Sequence, residues 1–371
     1  MKIATLFSNA GRYLWSLVPR DVRINAAKKR CEQQCGDNKP SVLEFPWDTA
    51  SVRSIVIMLP DSPGEALYQA ETCAAFPQLF PNAALTFFCT NAVASWFQLL
   101  HPRAVFIEYN TALPTFFSGK LDVWGNELRD DAFDVCLLLN ENADAEQLYL
   151  AGRTAARIRA GYGSTDDGVL LNLHVSPSQE HTGCADRNFA MARIFGAKSK
   201  PQVQWNLSSN AMSEVSRMMP ECTSDKKNVV GIDIGSLFVL CGQEWCNRLC
   251  RALTSNPLLC CYLYCSQSPG TSLLRFTEEF RCRFFQKLDI QRTCALIAQS
   301  RCFVTADRAL LCAGSHIGDT IVGLLAEKDV SRYGINSATA HCIPWKIKPS
   351  DAPVDTVIQA VQSAAGKAGN A

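Results

Sequence analysis

Short, uninterrupted apolar runs recur along this chain, each flanked by turn formers. Ile55–Leu59 is the first, and Leu85–Cys89, Ala104–Ile107 and Val135–Leu139 follow. Runs of four or five residues are too short for a helix core, and their lack of alternation predicts strands buried on both faces, as in a parallel sheet. Helical spacing lies between them, at Ala66–Phe76 and Asn91–Leu100. Gln147–Arg159 is predicted helical, Val169–Leu173 a strand, and Ala185–Phe195 a helix closed by Gly196. Alternating strand and helix predicts a doubly wound α/β sheet.

Residues 197–228 break this rhythm. Lys198, Lys200, Pro201, Ser208, Ser209, Asn210, Pro220, Ser224, Asp225, Lys226 and Lys227 give the composition of an interdomain crossing. The alternation then resumes. Val229–Ile234 is predicted as a strand ending at Gly235-Ser236, with Trp245–Leu253 helical and Leu258–Cys265 a strand. Leu274–Phe285 and Ile290–Gln299 are predicted as helices, Cys302–Thr305 as a strand, Ala309–Ile317 as a helix, Thr320–Leu325 as a strand and Asp355–Ala365 as a closing helix. The expected organisation is an extension over 1–50, a first α/β domain over 51–205, a linker over 206–228 and a second α/β domain over 229–371, with a ligand cleft between the domains.

The extension mixes Phe7, Tyr13, Leu14, Trp15, Leu17 and Val18 with Lys2, Arg12, Arg20, Arg23, Lys28, Lys29 and Arg30. Three readings stand: a basic amphipathic segment lying on an anionic membrane surface, a helix packed on the domain, or a frayed arm. Its apolar stretch is too short for a secretory signal.

Composition narrows the classes. A length of 371 residues with 47% hydrophobic content is enough for two cores. The formal charge of +1 gives no global pull toward nucleic acid. Mean hydropathy is near zero, at −0.01, and no apolar run approaches the roughly 18 residues of a membrane span. Of 18 cysteines, many lie inside apolar runs (Cys73, Cys89, Cys136, Cys260, Cys261, Cys302, Cys312), where a thiol packs as a small hydrophobe. This predicts a reduced, cytoplasmic protein. There is no CxxC pair, and Cys31/Cys35 and Cys246/Cys250 have no paired histidines, so no metal site is expected.

Candidate chemistry starts at Pro60-Asp61-Ser62-Pro63-Gly64-Glu65, directly after the first strand. Ligands of open α/β sheets bind outside the carboxyl ends of the strands, which singles out Glu65. Glu65 also reads as a first-turn acid stabilising a helix N-terminus. Asp307, ahead of Ala309, reads either as a ligand-facing acid or as a helix N-cap. His181 is either a structural histidine or part of the site, and Trp245 is read as core.

These elements and their order resemble heptosyltransferase-type glycosyltransferases (glycosyltransferase family 9). The residues carrying the resemblance are Gly64-Glu65, where the family has Gly-Asp, then Phe80-Pro81-Asn82-Ala83, Phe133-Asp134-Val135, Arg159-Ala160-Gly161-Tyr162, Asn172 with His181, and Phe195-Gly196. In the second half, Thr305-Ala306-Asp307-Arg308-Ala309 stands where the family has Thr-x-Asp-Thr-Gly, and Ile317–Leu325 and Ser331-Arg332-Tyr333-Gly334 continue it. The resemblance covers roughly 54–345. It implies two Rossmann-like domains facing across a cleft (GT-B type) and inverting transfer of a sugar from a nucleotide-sugar donor, typically ADP-heptose, to lipopolysaccharide core at the inner face of the cytoplasmic membrane. It further implies Glu65 as general base on the acceptor hydroxyl, Gly64 and His181 on the acceptor side, and Gly235, Ser236, Asp307, Arg308 and Ala309 on the donor side, with no metal or cofactor.

The chain also departs from the family. Glu65 is one methylene longer than the family's aspartate. Arg308 and Ala309 replace Thr-Gly, Cys312 stands at the histidine, and Gly242-Gln243-Glu244 precede Trp245 without the family's lysine. Arg308 could supply a cation for a diphosphate. The alternative is a member that has lost catalysis and serves as a binding or scaffold protein. A periplasmic-binding-type receptor would share the two-lobed architecture but need an export signal.

Overall fold

The computed structural model describes residues 15–35, 48–110, 113, 119–162, 168–177, 183–219, 229–280, 282–335, 337 and 339–366. The chain divides into two compact units, Met1–His181 with Ala185–Gln202 and Thr182–Cys184 with Val203–Ala371. His181 itself lies outside the described residues.

The first unit holds β1 (Ser54–Met58), β2 (Ala84–Thr90), β3 (Val105–Tyr109), β4 (Val135–Leu138), β5 (Ile158–Tyr162) and β6 (Leu173–Val175). They form a sheet of order β3-β2-β1-β4-β5-β6, with every pair parallel. The second holds β7 (Val229–Asp233), β8 (Cys260–Cys265), β9 (Arg283–Gln286), β10 (Cys302–Thr305), β11 (Ile321–Ala326) and β12 (Ala340–Trp345), in the order β12-β11-β10-β7-β8-β9, again all parallel. Both orders are that of a Rossmann fold, as the alternating apolar runs predict. Ile55, Val56, Ile57, Val230, Ile232, Val304 and Val322 are fully buried, so the central strands need apolar side chains on both faces.

Several elements differ from expectation. The helix predicted to run to Arg159 ends at Arg153, and Ile158–Tyr162 is β5. The strand expected at Val169–Leu173 lies instead at Leu173–Val175, and the helix expected over Leu274–Phe285 stops at Glu278, leaving Arg283–Gln286 as an edge strand. Inside the expected linker, Ser209–Met218 is a helix capped by Ser208, whose hydroxyl accepts from Ala211 N (3.1 Å). It is fastened to the second unit by the Glu214–Arg292 pair (2.6 Å).

In the N-terminal extension, Arg20–Cys35 is a helix packed on the helix Ala145–Arg153, with Ala27 and Cys31 buried. Its polar groups take part in the packing. Trp15 Nε1 donates to Glu146 (2.8 Å), Arg20 to the carbonyl of Ala143 (3.1 Å), and Arg30 pairs with Asp122. The described thiols include fifteen free cysteines, mostly buried, with burial pushing Cys136 and Cys302 up to about 12. Cys260 is disulfide-bonded, which departs from the fully reduced state expected.

Candidate functional site

In each sheet the chain leaves its first strand toward one side, returns, and continues on the other. The direction reverses between β1 and β4 and between β7 and β10. Open α/β sheets bind ligands in the crevice outside the carboxyl ends at that reversal. Apart from His181, which lies outside the described residues, the candidate site residues lie at these two places.

In the first unit, β1 runs out at Met58, and Pro63–Ala66 forms one short helical turn carrying Gly64 and Glu65, both half-buried. The amides of Glu65 and Ala66 donate to the carbonyl of Ser62 (3.0 and 2.9 Å). The group that gathers the surrounding elements is Asp61. Its Oδ1 accepts from Tyr109 Oη at the end of β3 (2.5 Å) and from Gln147 Nε2 in the helix after β4 (3.0 Å). Its carbonyl accepts from Thr90 Oγ1 at the end of β2 (2.9 Å). Gln147 is itself oriented by Asn140 Nδ2 (2.8 Å) and the amide of Asp144 (3.3 Å), both donating to its Oε1. Burial pushes the Asp61 carboxyl above the ordinary aspartate range, with the charges of Asp144 and Glu65 adding to the rise against the Tyr109 and Gln147 hydrogen bonds. Sequence reasoning passed over Asp61. Its signal was an acid in the turn directly after a buried strand.

In the second unit, Gly235 and Ser236 open the helix Ile234–Cys241 after β7, while after β10 Asp307 precedes the helix Arg308–Ile317, whose first residues are Arg308 and Ala309. The structure brings these five together through Asp233 and Thr305. Ser236 Oγ (2.5 Å) and Thr305 Oγ1 (2.7 Å) both donate to Asp233 Oδ2, and the amide of Ser236 to its Oδ1 (3.3 Å). The amide of Ala306 donates to Ser236 Oγ (3.2 Å), and that of Asp307 to Thr305 Oγ1 (2.9 Å). Asp233 is 1% exposed, and burial pushes its carboxyl up to about 6. Gly235 is required here, because a Cβ at that position would stand 2.6 Å from Cys265 Sγ.

Asp307 is the N-cap of its helix, accepting from the amide of Leu310 (2.9 Å), while itself exposed. The Arg308 guanidinium lies over the Tyr333 ring (4.4 Å to its centroid), and Arg332 also approaches that ring (5.2 Å). Among the described residues, no group of three or more His, Cys, Asp or Glu could hold a metal ion.

Other matched residues serve the fold. Arg159, on β5, donates to the carbonyls of Ala156 (2.9 Å), Gly168 (2.8 Å) and Leu170 (3.0 Å). Tyr162 Oη donates to the carbonyl of Asn188 (2.7 Å), and Asn172 Oδ1 accepts from Arg159 N (2.8 Å). Asp134 Oδ2 accepts the amides of Arg53 (2.7 Å) and Ser54 (3.0 Å), fixing the start of β1. Trp245 is core, its Nε1 donating to the carbonyl of Ala352 (2.8 Å).

No family model matches this sequence, and no curated protein does. Solved structures do. The chain is similar to the glycosyl transferase family 9 protein from Veillonella parvula DSM 2008, with a TM-score of 0.67, 13% identity, and coverage of 86% of this chain and 100% of that one. It is similar to ADP-heptose lps heptosyltransferase II of E. coli (TM-score 0.66, 13% identity, 85% and 99% covered). It is also similar to E. coli heptosyltransferase WaaC with ADP (TM-score 0.59, 14% identity, 85% and 99% covered). At these identities the likeness shows the fold: two Rossmann-like units, the architecture of those glycosyltransferases.

Proposed function

We propose that this protein is an inverting glycosyltransferase that moves a heptose-like sugar from a nucleotide-sugar donor to a lipopolysaccharide-core or related glycan acceptor. The observation that carries the reading is the placement of both sets of candidate residues at the reversal points of two Rossmann sheets. Its support is the fold shared with proteins whose names state heptosyl transfer and ADP. The first unit would take the acceptor. A carboxylate outside β1, the position the resemblance gives to Glu65, would accept the hydroxyl proton as the new bond to the anomeric carbon forms. Gly64 and His181 would lie on the acceptor side. The second unit would hold the donor, its diphosphate at the amides around Ala309 with Arg308 as the cation, and Gly235 and Ser236 alongside. The reaction would take place in the cytoplasm, with residues 1–30 touching the membrane surface.

A second reading, a member without catalysis that serves as a binding or scaffold protein, is favoured by the capped helix terminus at Asp307 and the Arg308–Tyr333 stack, which engage the groups a donor would use. Calorimetric titration of the wild-type protein with ADP-, UDP- and GDP-sugars separates the two. Saturable binding of one nucleotide class is expected. Absence of binding to all three at millimolar concentration would remove the transferase reading.

A further inference from the structure

The resemblance assigns the acceptor-side base to Glu65, but the geometry around β1 favours a different carboxylate. Asp61 has one oxygen fully committed and one open. Its Oδ1 takes both side-chain donors, Tyr109 and Gln147, and no described residue donates to Oδ2. The side chain is thus fixed in direction by anchors from two other strand–helix units, while its backbone carbonyl is held by Thr90 from a third. A base must be held within a fraction of an ångström to be efficient, and a carboxylate anchored through one oxygen satisfies this without occupying the oxygen that does the work.

Protonation at Oδ2 also leaves Oδ1 free to keep accepting from Tyr109 and Gln147, so a proton can arrive without dismantling the site. The groups facing Asp61 are Glu65 on the helical turn, Asp144 ahead of the helix Ala145–Arg153, and Tyr109 on β3. The remaining acid of the β4 loop, Glu141, is engaged by Arg187 (3.0 Å). Burial and the two acids favour the protonated carboxyl, which brings its proton affinity nearer to neutral pH, where a general base is most effective.

We infer that Asp61 is a further catalytic residue of the proposed transfer, receiving the acceptor proton on its open Oδ2. This rests on the transferase reading above. In the step, the acceptor oxygen forms its bond to the anomeric carbon as the bond from that carbon to the phosphate oxygen breaks. The electron pair of the broken bond leaves with the nucleoside diphosphate, and the hydroxyl proton passes to Asp61. Glu65 is then the neighbouring charge rather than the acceptor of the proton.

Two measurements test it. The first needs no substrate: infrared difference titration of the carboxyl band of the wild-type protein, with the Asp61 signal identified by its loss in Asp61→Asn. Titration above the ordinary aspartate range is expected, moving down in Glu65→Gln, which removes a like charge, and up in Tyr109→Phe, which removes a donor to the ionised form. An ordinary aspartate titration, unmoved in both variants, would overturn the inference. The second uses the nucleotide-sugar that the wild-type protein binds. Asp61→Asn should lower kcat by about 100-fold or more with donor affinity unchanged, while Glu65→Gln should lower it by about tenfold and shift the acid limb of the rate profile downward. Turnover retained in Asp61→Asn and abolished in Glu65→Gln returns the role to Glu65 and leaves the transferase reading intact. Failure of the wild-type protein to bind any nucleotide-sugar removes the transferase reading, and the catalytic role of Asp61 with it.

Discussion

At the carboxyl end of β1, Asp61 has an oxygen to which no described residue donates, whereas at the carboxyl end of β7 both oxygens of Asp233 are taken. Asp61 lies in the turn after a buried apolar strand and Asp233 is the last residue of one; both stand where their sheet reverses direction, and both tie neighbouring loops together. Asp233 has Ser236 and Thr305 on one oxygen and the amide of Ser236 on the other, and it is 1% exposed. Asp61 is half-buried with both side-chain donors on a single oxygen. The same topological position therefore yields two different devices. One holds the loops after β7 and β10 in register, and the other presents a positioned carboxylate. The number of donors and how they divide between the two oxygens sets the difference, and the position in the sheet does not.

The strongest way to break this contrast is through pH. Asp233 is pushed from an ordinary 3.8 up to about 6 by burial. A carboxyl with a raised folded-state value contributes stability that is fully present below the unfolded value and lost as pH rises through the folded one. Between about pH 4 and pH 7 this group alone should reduce stability by about 2 kcal/mol. Urea unfolding across that range should show the decline in the wild-type protein and a flatter profile in Asp233→Asn. An unchanged slope would mean that Asp233 is not the enclosed acid described.

A smaller effect is expected in the body of the same strand. The middle of β1 carries Val56, but that of β7 carries Gly231, crossed by the rings of Tyr262 and Phe303. Tyr262 Oη is held by Ser300 and by the carbonyl of Leu296 (3.3 Å), so it cannot give way freely. Gly231→Ala should cost about 2 kcal/mol by overpacking, read as a lower urea midpoint with an unchanged slope. A neutral result would show that the ring above β7 has room that the packing denies.

The strands buried on both faces could be read from sequence because nothing but apolar side chains satisfies them, as at Ile55–Met58 and Cys302–Thr305. The strands that were missed carry charged or polar residues, or a proline, that break an apolar run. β5 contains Arg159, tolerable in a buried strand only because four carbonyls from 156–170 take its protons. β9 and β12 are edge strands, half-exposed, and carry Arg283, Gln286, His341 and Pro344. The site was legible to the extent that it follows from a strand end. Glu65, Gly235 and Asp307 could be picked for that reason. Asp61 could not be ranked above Glu65, because its significance comes from Tyr109 and Gln147, 48 and 86 residues away.

The finest test of the contrast concerns Arg308. Its guanidinium over the Tyr333 ring is a structural contact at 4.4 Å, of the kind worth about 0.5–1 kcal/mol where partly exposed. A cation that also meets a diphosphate would add a charge-assisted interaction of about 1.5 kcal/mol, or about tenfold in affinity. Arg308→Ala should therefore lower the melting temperature slightly and weaken nucleotide-sugar binding about tenfold, measured by calorimetry on the same preparation. Glu65→Gln, in the other unit, should leave that affinity nearly unchanged. Equal losses in the two variants would erase the division of labour proposed for the two units. A loss of stability without loss of affinity in Arg308→Ala would instead make the Tyr333 stack the whole role of this arginine. The donor's negative charge would then fall to the amides near Ala309, opposite the Asp307 carboxylate that already caps their helix.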